Sequence, residues 1–184
     1  MKNRKTLFVT SAAVIAALYV ALTALSNVMG LAYGEIQCRI SEAMTVLPVF
    51  FPAAIPGLTI GCLLSNITST ISPADMIFGT AATLLAALLT AALRKVTVKK
   101  YPFLSFLMPV LANGFIVAAE LLFLYTDASE RTFSLYWVFF AEVAAGEAIA
   151  VFVFGTILWA AMKKLTEKNP LIKELTYKEK IKNG

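Results

Sequence analysis

The chain has 184 residues, 59% of them hydrophobic and 15% charged, with a net charge of +5 and a mean hydropathy of +0.79. Soluble domains are roughly 45–50% apolar, and one this small has too little interior to hide the excess, so a water-soluble fold is excluded and the surplus faces lipid. The chain has no histidine, and its lysines and arginines gather at the N-terminus, in one loop and in the C-terminal tail, which is the footprint of membrane topology rather than of nucleic-acid binding.

A spanning helix needs about 20 apolar residues. Residues 7–28 satisfy this, and the run is too long for the roughly 7–15-residue core of a cleaved signal, so it reads as a retained transmembrane helix behind Lys2, Arg4 and Lys5. A polar loop follows, with Gly34, Glu35, Gln37, Arg39, Ser41 and Glu42. A second, short helix is expected over about 41–51, ending in the breaker cluster Pro52-Ala-Ala-Ile-Pro56-Gly57. A third covers about 57–71, and a fourth about 72–93, opening on Ser72-Pro73-Ala74-Asp75 as N-cap, first-turn proline and helix-start acid. The fifth covers about 102–125, the sixth about 133–162, and 163–184 reads as a polar cytoplasmic tail.

Charge sets the topology. The positive-inside rule puts the N-terminus, the loop with Arg94, Lys95, Lys99 and Lys100, and the tail beginning at Lys163 and Lys164 on the cytoplasmic side. An even number of crossings then separates the first two, which the short second and third segments supply if each spans; a re-entrant hairpin there keeps the same parity. The expectation is a single all-α membrane domain over residues 1–184, a bundle of six transmembrane helices with both termini in the cytoplasm of a bacterium's plasma membrane. Cys38 and Cys62 read as isolated thiols, not as a disulfide framework.

Two features carry chemistry. Ala13, Ala17 and Ala21 repeat every fourth position on the first helix; such small-residue spacing admits close approach of another helix, either one of the protein's own or a partner's. The second feature is the set of acids inside apolar segments: Glu120, seven residues from Asn113 and so on one helical face with it, and Glu142 and Glu147, which project about 140° apart. Each such carboxylate costs roughly 2.5–3.5 kcal/mol at the bilayer centre, so each calls for a partner, a proton or a cationic ligand. Glu42 has Arg39 three residues earlier as a candidate partner. Glu35, Asp75, Asp127 and Glu130 add to an acidic outer half that suits a cationic or donor-rich ligand, while Tyr33, Tyr125, Phe133, Tyr136, Trp137, Phe139 and Phe140 form an interfacial aromatic belt from which one or two rings can stack on a flat ligand.

The runs Gly34-Glu-Ile-Gln-Cys-Arg39-Ile-Ser-Glu42-Ala-Met-Thr-Val-Leu-Pro48 and Phe51-Pro-Ala-Ala-Ile-Pro-Gly57-Leu-Thr-Ile-Gly61-Cys, followed by Asp75-Met-Ile-Phe-Gly79-Thr, Asn113-Gly114 with Glu120, and Gly146-Glu147, resemble the QueT family of substrate-binding S components of energy-coupling factor (ECF) transporters. The resemblance covers nearly the whole chain. It implies a six-helix subunit that captures a queuosine precursor, a 7-deazaguanine in aminomethyl or cyano form, and that works with a transmembrane coupling subunit (EcfT-like) and two cytoplasmic ATPases. It also implies that Ala13, Ala17 and Ala21 dock on the coupling subunit. The candidate substrate-binding residues are Arg39, Glu42, Asn113, Glu120, Trp137 and Glu147, with Gln37 and Glu142 behind them. No catalytic residue, metal site or cofactor is expected, and no nucleic-acid partner. The chain lacks a G-x-x-x-x-G-K-[ST] phosphate loop, so ATP is hydrolysed elsewhere if it is used at all. Alternative readings are an S component for another small vitamin or purine-like solute, and a stand-alone proton-coupled carrier.

Overall fold

A computed structural model describes residues 4–31, 38–67 and 73–177, the side chains of Pro73 and Asp75 excepted. Its elements are α1 (Arg4–Val28), a 3-10 helix (Ile40–Val49), α2 (Ala54–Ile67), α3 (Pro73–Leu93), α4 (Phe103–Leu124), α5 (Phe133–Ala148), a π-helical segment (Ile149–Gly155), α6 (Thr156–Lys168) and α7 (Pro170–Glu174). Among the described residues, four stretches are long and apolar enough to cross a membrane: Arg4–Val28, Met76–Leu93, Phe103–Leu124 and Phe133–Lys168; Ile40–Val49 and Ala54–Ile67 are shorter apolar helices.

The expected helix over 41–51 is the 3-10 helix, and it occupies the centre of the bundle, touching α1, α2, α3, α4, α6 and the π segment. Eight of its ten residues, Ser41 to Pro48, are buried. The tighter winding matters here: at about 2.0 Å per residue, ten residues extend about 20 Å, against about 15 Å for an α-helix. Ile40 starts beside the polar cavity described below, and Val49 and Phe50 reach the opposite, basic end, where they share a pocket with Arg4, Arg94, Lys95 and Lys173. The N-terminal end of α1, the α3–α4 loop and the C-terminal segment therefore meet at one end of the bundle.

The break between the short segments is narrower than the Pro52–Gly57 cluster predicts. α2 begins at Ala54 and takes Pro56 into its first turn, where the missing N–H has no helical acceptor to lose. Gly57 and Gly61 are then contact points rather than breakers. A Cβ at Gly57 would lie 2.8 Å from the Ala12 carbonyl oxygen, and one at Gly61 would lie 2.8 Å from Tyr19 Cβ. The Pro-Gly-x-x-x-Gly run is thus the small-residue face on which α2 packs against α1. Gly155 does the same for the π segment, since its Cβ would sit 2.8 Å from Val46 of the 3-10 helix.

At the other termini the expectation and the structure differ in one respect. The helix expected over 133–162 runs on to Lys168, and α7 follows it, so part of the expected tail is helical. Apolar residues thin out after Met162, whereas helical hydrogen bonding has no reason to stop there. A rod of 36 residues is about 54 Å long and outreaches a hydrocarbon core of about 30 Å. In the loop that joins α3 to α4, Val98 and Tyr101 exchange backbone hydrogen bonds of 2.9 Å around Lys99 and Lys100, both with positive φ.

The close glycine contact yields a test. Gly61→Leu inserts a side chain where a single Cβ already collides with Tyr19, so overpacking should destabilise the protein by about 1–3 kcal/mol. Thermal unfolding in detergent should show the loss, and a similar substitution at exposed Ile60, on the other face of α2, should leave the midpoint nearly unchanged.

Candidate functional site

α1 presents a polar stripe to the 3-10 helix. Tyr19, Thr23 and Ser26, at i, i+4 and i+7, share one helical face and are all buried. The Tyr19 phenol donates to Glu42 Oε1, the Thr23 and Ser41 hydroxyls are hydrogen-bonded at 2.8 Å, and the Ile40 N–H donates to Ser26 Oγ at 2.9 Å. The two chains are laced in antiparallel order, 19 to 42, 23 to 41 and 26 to 40. Thr45 Oγ1 donates to the Glu42 carbonyl at 2.6 Å, which ties the next turn of the 3-10 helix to the same residue.

Glu42 leads into a cavity of about 50 Å³ lined by Arg39, Glu42, Cys62, Gly79, Thr83, Asn113, Val117, Val143, Gly146 and Glu147. Asn113 Nδ2 donates to Glu147 Oε1 at 2.9 Å. This pair exists because α4 and α5 approach closely beside it: a Cβ at Gly114 would meet the Phe140 ring at 2.9 Å. On the opposite wall the Thr83 hydroxyl lies 3.2 Å from Cys62 Sγ and 3.0 Å from the Gly79 carbonyl. Glu42 Oε2 and Glu147 Oε2 are both buried and have no hydrogen-bond partner among the described residues. Two carboxylates and one guanidinium therefore face a small space inside an apolar bundle. Beside it, burial and then the Glu147 carboxylate push the Cys38 thiol above its ordinary value, so it stays protonated at neutral pH.

Of the sequence candidates, Arg39, Glu42, Asn113 and Glu147 meet at this cavity. Glu120 is buried too but does not line it. Seven residues along α4 from Asn113 is about 10 Å of helix, so a shared face does not mean a shared depth. Glu142 is half-buried and away from the cavity, as its angle to Glu147 requires. Trp137 is 43% exposed and packs edge-on against Phe115, Phe133, Tyr136 and Phe140, also away from the cavity. Gln37 lies outside the described residues. Arg131 has a structural role: its Nη2 donates to the Phe123 carbonyl at 2.8 Å and its Nε to the Thr126 carbonyl at 3.0 Å, capping the end of α4.

Sequence reasoning passed over Tyr19, Cys62 and Thr83. The signal for Tyr19 was present: Tyr, Thr and Ser at helical spacing in an otherwise apolar helix mark a face that must meet polar groups. Cys62 and Thr83 carried no comparable signal, since single thiols and hydroxyls are common in buried helices. Ala13, Ala17 and Ala21 are exposed along the opposite side of α1.

Removing the Tyr19 hydroxyl leaves Glu42 buried with one donor fewer. Tyr19→Phe should destabilise the protein by about 1–3 kcal/mol in thermal unfolding, whereas Tyr136→Phe, at a half-buried hydroxyl 3.3 Å from the Phe115 carbonyl, should change it by no more than about 0.5 kcal/mol.

The QueT transporter family model matches residues 9–164. The queuosine precursor transporter QueT of Lactococcus lactis subsp. cremoris (strain MG1363) is 31% identical over 166 residues, covering 86% of this chain and 94% of that protein. No solved structure matches the chain. A bundle of apolar helices enclosing a polar cavity, with a family match across nearly all of it, leads to one conclusion: this multi-pass membrane protein is a transporter, not an enzyme, and belongs to the QueT transporter family.

Proposed function

We propose that this chain is the substrate-capture S component of an energy-coupling factor importer in a bacterial plasma membrane, and that its cargo is a queuosine precursor of the 7-deazaguanine class. The substrate class rests on the name of the Lactococcus relative. The observation that carries the capture role is the convergence of Glu42, Glu147, Asn113 and Arg39 on one cavity.

The chemistry of the ring suits this set. The pairing edge of a 7-deazaguanine offers two adjacent N–H donors and a carbonyl acceptor. One carboxylate accepts both donors in a charge-assisted bidentate contact, and an amide or guanidinium donates to the carbonyl. In the aminomethyl form the ligand also carries an ammonium group, which a second carboxylate neutralises. Glu147, already oriented by Asn113, reads the ring edge; Glu42 meets the amine; Arg39 or Asn113 meets the carbonyl. A cavity of about 50 Å³ is well below the roughly 300–1,000 Å³ of ordinary ligand pockets, so binding includes an opening step in which the walls part.

The remaining parts follow the same reading. The bundle crosses the bilayer six times, the 3-10 helix and α2 supplying the two short passes, with both ends cytoplasmic by the positive-inside rule. ATP is hydrolysed by two partner ATPases, and an EcfT-like coupling subunit docks on exposed Ala13, Ala17 and Ala21. Tyr19 on the opposite side of α1 holds Glu42, so a displacement of α1 by the coupling subunit acts directly on a ligand-binding carboxylate.

Two measurements test this. Glu147→Gln should weaken binding of the aminomethyl or cyano precursor about 10–150-fold in titration calorimetry, the equivalent of losing a hydrogen bond to a charged group, whereas Glu120→Gln should change it less than about threefold. Equal affinities for wild type and Glu147→Gln would remove Glu147 from the site. Ala17→Trp should abolish ATP-driven uptake into proteoliposomes containing the partner subunits while leaving substrate affinity unchanged; uptake without any ATPase subunit would instead identify a stand-alone carrier.

A further inference from the structure

The basic end of the bundle carries a second site. A pocket of about 590 Å³ is lined there by Arg4, Arg94, Lys95 and Lys173, with Glu167 and Glu174 as its acids, four cations against two. The C-terminal segment closes one wall: Tyr177 donates its backbone N–H to the Phe50 carbonyl at 3.2 Å, and the Arg94 guanidinium stacks 3.9 Å from the centre of the Tyr177 ring. Tyr177's hydroxyl is buried and has no partner among the described residues. Burial pushes this phenol above its ordinary value, against a smaller opposing effect of Arg94, so it remains a neutral donor.

An apolar groove lies near this pocket. A connecting cavity shares Arg4, Glu174 and Tyr177 with the basic pocket and Ser11 and Leu175 with the groove, which runs between α1 and α6 over a floor of Met44, Leu47 and Phe51. The groove's residues on α1 extend from Thr10 to Leu22, about 18 Å of helix at 1.5 Å per residue. One leaflet of a hydrocarbon core about 30 Å thick is about 15 Å deep.

We infer that this composite site binds an anionic phospholipid, its phosphate among Arg4, Arg94, Lys95 and Lys173 and one acyl chain along the groove between α1 and α6. Surplus positive charge selects the head group and one-leaflet apolar length selects the tail; neither alone asks for a lipid. The site lies at the opposite end of the 3-10 helix from the acidic cavity, so it is separate from the proposed substrate site.

The test uses the full-length protein, delipidated in detergent. Phosphatidylglycerol, phosphatidylcholine and inorganic phosphate are each titrated, with bound lipid counted by native mass spectrometry and the unfolding midpoint measured in parallel. Phosphatidylglycerol should be retained at one per protein and raise the midpoint, while the other two should do neither. Lys95→Gln should weaken its binding about fivefold and Lys95→Gln with Lys173→Gln about 25–30-fold, at roughly 1 kcal/mol per cation, with the Arg94–Tyr177 stack left in place. Leu18→Trp, which fills the groove from an exposed position on α1, should also lower retention. Equal retention of phosphatidylcholine, an equal shift with inorganic phosphate, or undiminished phosphatidylglycerol binding in a folded Leu18→Trp protein would each overturn the inference. So would a Leu18→Trp protein that keeps its lipid yet fails to assemble with a membrane partner, since the groove would then belong to that partner.

Discussion

Much of this bundle depends on the hydrogen bond from Tyr19 to Glu42. A carboxylate in the apolar centre of a membrane protein is costly, and the cost falls only if donors are held on it. Tyr19 supplies one from α1, and the Thr23–Ser41 and Ser26–Ile40 bonds hold the same two elements in register. This lacing fixes the rotation of α1 about its own axis. Residues two apart on an α-helix project about 200° apart, so turning Tyr19 inward turns Ala17 and Ala21 outward. The exposed small-residue face and the buried carboxylate are two consequences of one constraint.

Packing around the 3-10 helix follows from its burial. A helix buried on all sides needs neighbours that come close without bulky side chains in between, and glycine supplies that approach at Gly155 on the π segment. A π segment adds a residue to a turn and locally re-aims the side chains of a long helix. Here it lies between Glu147, which faces the cavity, and the polar end of α6. Gly57 and Gly61 bring α2 onto α1 in the same manner, and Gly114 brings α5 onto α4 beside Asn113. Each glycine is a point of contact in a helix, and none of the four has a positive φ.

The four long helices are legible in the sequence because lipid imposes a length on any helix that spans it, and 7–28, 72–93, 102–125 and 133–162 each meet that length. The short pair is harder. A ten-residue apolar run has no period that separates a 3-10 from an α-helix, and the winding of 40–49 is set by the elements packed around it. Gly57 reads locally as a breaker; only the position of Ala12 and Ile15 across the gap shows why a side chain is excluded there. At the cavity, Asn113 and Glu147 stand out in the sequence as polar groups in apolar segments, whereas Arg39 and Glu42 sit in a stretch that reads as a polar loop, and only the fold turns that stretch inward. Glu120 stands out equally, and the sequence period gives its face but not its level relative to Glu147 on a helix running the other way. Ring chemistry alone marks Trp137 as a stacking residue, yet its neighbours are other rings of an aromatic cluster.

Charge is divided between the two ends of this molecule in a way that one fold makes possible. Thr83 and Leu93 on α3, and Asn113 and Phe103 on α4, are each ten residues apart, so the acidic cavity stands about 15 Å from the basic end along both helices. The space between them is filled with side chains of the 3-10 helix, Phe106 and Val151. The cations therefore do not meet the cavity acids by contact, and they occupy none of the acceptor oxygens. Glu42 Oε2 and Glu147 Oε2 are thereby left as acceptors for donors in the cavity, while the cations gather at the other end of the bundle.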